Sequence, residues 1–112
     1  MTGAIDKVIP DAARDLFRKA ALDDVPQLVG ILRDGRGGYC AMGYIEANDR
    51  AFAVRLITRS VANCHLCGLT KMTTVAGPVN SVWNLLVHLN NDHRLGWLDL
   101  AKVPEPGEEE TM

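Results

Sequence analysis

The sequence predicts an all-α domain of four or five helices, and three observations carry the prediction. Apolar residues recur at three- and four-residue spacing in successive segments. Those segments follow proline or aspartate and stop at glycine or asparagine clusters, which are the start and stop signals of helices. A cysteine pair in a turn and a histidine pair at a helix end then supply a staple for the C-terminal half, of the kind a small core needs.

The elements follow in order. In residues 11–20 (DAARDLFRKA), Ala12, Leu16, Phe17 and Ala20 fall at helical spacing after Pro10, with Asp11 as an early acid. Asp23 or Asp24 then caps a second helix with Pro26 in its first turn; Val25, Leu28, Val29 and Leu32 are its apolar stripe. The Gly-Arg-Gly-Gly run at 35–38 stops it. That run is not a phosphate-cradling loop, which would need a preceding strand and a G-K-[ST] ending. Segment 39–47 (YCAMGYIEA) is apolar and helical in type, and Asn48-Asp49 breaks or caps it. Ala51, Phe52, Val54, Leu56, Ile57 and Val61 continue at helical spacing, although the β-branched residues of VRLIT leave room for a short β element near the cysteine pair. Residues 64–77 form a knuckle and loop. Pro78 opens the strongest helix, 79–91, which ends at Asn90-Asn91-Asp92, and one or two helical turns follow within 94–103.

The expected organisation is one domain over residues 1–103 and a flexible acidic tail over 104–112. At 112 residues the chain is one domain's worth, and 47% apolar with 23% charged side chains marks a globular rather than a disordered chain. Net charge is −2, with no overall pull toward nucleic acid or anionic membrane. Without Glu105, Glu108, Glu109 and Glu110 the remainder carries 12 basic and 10 acidic side chains, a net of +2, which selects no partner either. No apolar run approaches the ~20 residues that span a bilayer. The first ten residues include Asp6 and lack the basic and apolar regions of a signal peptide, so the expected location is the cytoplasm.

Three cysteines, two of them in C-x-x-C, point to metal or redox chemistry in such a chain rather than to a disulfide framework. Cys64 and Cys67 place two thiolates in a tight turn, and Gly68 lets the backbone fold back toward the sulfurs. His88 and His93 form the second pair, so the pattern is C-x2-C-x20-H-x4-H. Both pair spacings are those of a zinc finger, and the stretch between them exceeds the ~12 residues of the nucleic-acid-binding C2H2 finger. The expected cofactor is one structural Zn2+. In an unbroken helix, positions five apart differ by ~140° around the axis, so the helix must loosen before His93. Asn90, Asn91 and Asp92 are residue types that permit this. Cys40, His65 or Asp92 is an alternative fourth ligand in place of His93. A redox dithiol would want its C-x-x-C at a helix N-terminus in a βαβ setting, which this chain lacks.

Cys40, inside GGYCAMG, reads as a buried small hydrophobe, and Trp83 and Trp97 as core anchors. Arg50, Arg55 and Arg59, with Lys71 nearby, form the basic cluster. A solvated helix face explains it, and a phosphate-contacting strip is the sharper alternative.

GYCAMGYIEA resembles the C-A-[LM]-G-A-[LI] segment of small helical proteins from bacteria and their phages, and VWNLLVHLNNDHRLGW is similar to the V-x-H-L-N-D-x-H-x-W-[ST] segment of the same group. The two stretches cover about a quarter of the chain. This sequence departs from the second pattern at Leu98-Asp99, where the group has Ser or Thr capping another helix, and in its extra Asn. The resemblance implies a compact helical fold, zinc on Cys64, Cys67, His88 and His93, and a phage-associated setting as one option; it implies no activity. HLNNDH also resembles part of the HNH nuclease motif, but the second C-x-x-C pair and the D-H-x-H core are missing. The expected role is therefore a non-enzymatic interaction, regulatory or assembly module whose partner is another protein. Nucleic-acid binding is the alternative, and an HNH-like nuclease ranks behind both.

Overall fold

The computed structural model describes residues 7–59, 64, 66, 67 and 81–105, and among these residues five helices are fully traced. They are α1 (Asp11–Leu22), α2 (Ala41–Asn48), α3 (Arg50–Thr58), α4 (Val82–Asn91) and α5 (Trp97–Ala101). Among the described residues there is no strand; two isolated bridges join Tyr39 to Gln27 and to Arg33. The all-α expectation holds, and the β option for VRLIT falls, because α3 runs through it. No helix of the described residues is long and apolar enough to cross a membrane.

Each helix has a local cause. α1 starts after Pro10 and buries Ala13, Phe17 and Ala20, one residue out of phase with the stripe expected from Ala12 and Leu16. α2 is capped by Cys40, whose Sγ accepts from the Gly43 N–H at 3.4 Å. Asp49 ends α2 and caps α3, its Oδ1 accepting from Phe52 N–H at 3.0 Å. α4 begins at Val82, not at 79, because Ser81 is its cap and accepts from Asn84 N–H at 3.2 Å; the proposed start at Pro78 lies outside the described residues. Val82, Leu85, Leu86 and Leu89 then lie buried on one face of α4, the 3.6-residue pattern that made this the clearest helix in the sequence. α5 packs on α1, with the Trp97 and Phe17 rings stacked at 6.1 Å and Tyr44 against Trp97 at 5.4 Å.

The helix expected from Val25 to Leu32 is absent. Asp24 takes φ 53°, and the N–H groups of Asp23, Asp24 and Val25 turn back to Lys19, Ala21 and Ala20, closing α1. Beyond it the chain is a loop whose polar backbone groups find distant partners. Tyr39 N–H donates to Pro26 O, Leu28 N–H to Tyr39 O and Cys40 N–H to Leu32 O, at 2.9, 2.9 and 3.0 Å. Of the expected stripe, Val29 and Leu32 remain 47% and 39% exposed while Val25 and Leu28 are half-buried, so it is not a continuous buried face. Tertiary hydrogen bonds have overridden a weak local preference.

Asn90, fully buried on α4, holds this loop. Its Oδ1 accepts from Gln27 Nε2 and from Ala41 N–H, and its Nδ2 donates to Leu28 O, at 2.8, 3.0 and 2.8 Å. Asn91 Oδ1 accepts from Gly30 N–H at 3.0 Å.

The acidic tail does not begin at 104. The Glu105 carboxylate accepts from Val8 N–H at 2.6 Å, from Ile9 N–H at 3.2 Å and from the Arg14 guanidinium at 2.5 Å. Arg14, itself buried, also donates to Ile9, Ala101 and Val103 carbonyls. A buried arginine needs that many acceptors, and Glu105 is the one that supplies charge. Residues 1–6 and 106–112 lie outside the described residues.

Candidate metal centre

α4 carries His88 on its last turn and ends where the ligand geometry requires. Asp92 and His93 both direct their N–H groups at His88 O, at 2.9 and 3.3 Å, so the chain leaves the regular i→i−4 pattern at His93. Leu95 N–H then reaches back to Leu89 O at 3.2 Å, and the left-handed residue is Arg94, with φ 55°, rather than one of the asparagines. The predicted loosening is present, one step later than the residue types suggested. Leu66 and Cys67 have helical backbone, and Cys67 N–H donates to Cys64 O at 3.3 Å. Leu66, between the two cysteines, is buried in the core.

These elements bring Cys64, Cys67, His88 and His93 together, one ligand atom from each lying within 4.8 Å of every other. Cys67 Sγ is 3.2 Å from His88 Nε2 and 3.5 Å from His93 Nε2, and Cys64 Sγ is 3.6 Å from His93 Nε2. A tetrahedral zinc with Zn–S of ~2.3 Å and Zn–N of ~2.0–2.1 Å sets its S···N edges at ~3.5 Å. The three edges bracket that value. The imidazole rings meet edge to face, 84° apart with centroids at 4.9 Å.

Burial, then the neighbouring Cys64 sulfur and the Asp92 carboxylate, push the Cys67 thiol up to about 11. Burial and the adjacent His88 lower the His93 imidazole, with Asp92 opposing. Without a cation the cluster therefore favours a protonated Cys67 and a neutral His93. A divalent ion among the four atoms reverses the preference at the thiol.

Of the alternative fourth ligands, Cys40 is buried in the core and caps α2. His65 lies outside the described residues. Asp92 turns its carboxylate to the far side of His88, where Oδ2 is 2.7 Å from Nδ1. That contact was not anticipated, although the His88–Asp92 spacing of four on a helix was the available signal.

Arg50, Arg55 and Arg59 of the basic cluster all belong to α3 or its C-terminal cap. Arg50 is exposed at the start of α3, Arg55 lies over the Phe52 ring at 5.6 Å, and Arg59 donates to Lys7 O. Lys71 lies outside the described residues.

Fold and site together define a small helical domain built around a two-cysteine, two-histidine cluster able to hold a metal ion. Compared with known proteins, the chain matches no family model, no curated protein and no solved structure.

Proposed function

We propose that Cys64, Cys67, His88 and His93 hold one structural Zn2+, and that the domain so stabilised is a non-enzymatic interaction or assembly module. The observation that carries this is the tetrahedron-sized cluster of two sulfurs and two imidazole nitrogens. Such a donor set suits zinc, and four protein ligands leave no coordination position for water or substrate. With His93 a ligand, no free general base stands there for a nuclease. A cytoplasmic setting, where thiols stay reduced, suits the thiolates. A protein is the favoured partner. Nucleic acid has less support, because Arg59 is engaged with the backbone and Arg55 with an aromatic face. Assembly into a phage particle is the form of the role that the sequence resemblance suggests.

The test is elemental analysis of protein purified without added metal. About one zinc per chain is expected, with loss in Cys67→Ser and His93→Ala and a marked fall in thermal stability on chelation. Absence of stoichiometric zinc, with stability indifferent to chelator, refutes the reading. The choice of partner is tested by chelator-sensitive capture of a host protein set against a gel shift with DNA and RNA at low salt. A salt-dependent shift would favour nucleic acid.

A further inference from the structure

The geometry assigns to Asp92 a positioning role: it selects Nε2 of His88 as the metal-binding nitrogen and holds that ring in place. This rests on the zinc reading above. An imidazole offers two nitrogens, and the hydrogen bond made by one decides which is left to bind metal. An ionised carboxylate accepts only, so the 2.7 Å contact from Asp92 Oδ2 requires the proton on Nδ1. The lone pair then sits on Nε2, the atom 3.2 Å from Cys67 Sγ.

The fold builds this pairing into the helix end. Asp92 is the C-cap of α4 and retains helical backbone angles, φ −90° and ψ −44°, which keep it one turn above His88 on the same face. The His88 side chain is 7% exposed and that of Asp92 60%. Neighbouring core atoms shut the ring away from water, while the carboxylate reaches it from the rim. Asp92 is not a ligand, because it faces the nitrogen turned away from the sulfurs. Its action is exerted through His88, by fixing tautomer and orientation.

The test uses the full chain, with zinc affinity read by competition against a chromogenic chelator and the His88 ring state by nitrogen NMR. Asp92→Ala is expected to weaken zinc about 10–100-fold. Asp92→Asn, which keeps an acceptor but no charge, should fall between it and the parent. In the zinc-loaded parent, His88 should show a protonated Nδ1 and a metal-bound Nε2, and Asp92→Ala should expose the Nδ1 proton to faster exchange. Asp15→Asn, which removes an equal charge from an exposed pair with Arg18 on α1, should leave affinity unchanged. Zinc affinity within about threefold of the parent in Asp92→Ala, coordination through Nδ1, or equal weakening by Asp15→Asn would each overturn the role while leaving the metal site standing. A parent chain that takes up no zinc would remove the site itself, and the role with it.

Discussion

Replacing Gly43 by alanine tests the packing of the irregular loop most sharply, because two effects of opposite sign compete. Gly43 lies in the first turn of α2, where alanine is worth ~1 kcal/mol more than glycine in helix propensity alone. A methyl group there would stand 1.9 Å from Leu32 O, 2.7 Å from Leu32 C and 3.2 Å from Leu32 Cα. Those are backbone atoms, so no rotamer change relieves the overlap. A carbon–oxygen contact needs ~3.3 Å, and the loop must retreat by ~1.4 Å or α2 must shift. Retreat strains the hydrogen bond from Cys40 N–H to Leu32 O, worth ~1 kcal/mol, and overpacking adds ~1–3 kcal/mol. The clash therefore outweighs the propensity gain, and Gly43→Ala is expected to destabilise by ~2 kcal/mol. With an unfolding entropy of ~2.1 cal/mol/K per residue, that lowers Tm by ~8 °C in a chain of this length. Calorimetry of the zinc-loaded proteins measures it. An alanine variant melting at or above the parent would show that α2 and the loop do not meet as described.

Asn90→Ala should cost ~2–4 kcal/mol in urea unfolding, because the Ala41 N–H and Leu28 O lose buried partners, and hydrogen exchange at 27–30 should quicken; unchanged exchange would dissociate the loop from α4. Glu105→Ala leaves the buried Arg14 without its counter-charge and should destabilise by ~3 kcal/mol, whereas a chain ending at 103 with full stability would return Glu105 to the tail. Zinc affinity should rise with pH over the range below the Cys67 value of about 11, since each ion must displace that thiol proton, while His93, lowered by burial, is already neutral at pH 7 and releases none. Calorimetry in buffers of differing ionisation enthalpy should accordingly detect release of at least ~1 proton per zinc at pH 7, and zero release would mean the thiol is not a ligand.

Much of the fold was legible in one dimension where local rules and burial coincide. α1, α3 and α4 have apolar residues at helical spacing and recognisable starts, and the core buries Phe17, Leu56 and Leu86 accordingly. Where long-range hydrogen bonds set the conformation, local pattern misled. The stripe from Val25 to Leu32 looked amphipathic, yet its backbone is bonded to Tyr39 and Cys40 just beyond the glycine run and to Asn90 on α4. Glu105 looked like part of an acidic tail until the N-terminal segment and Arg14 were seen around it.

The four residues of the cluster able to hold a metal ion were legible in the sequence, because thiolate and imidazole chemistry restricts which side chains bind a borderline cation and pair spacing restricts where they sit. Cys64, Cys67, His88 and His93 needed no coordinates to be named. Tertiary structure decided how they converge: α4 ends one residue before Asp92, Arg94 turns left-handed, and Asp92 faces Nδ1 of His88 rather than the sulfurs. The reason is that spacing constrains residues along one helix, whereas the direction in which a helix end unwinds depends on the partners its last polar groups find in space.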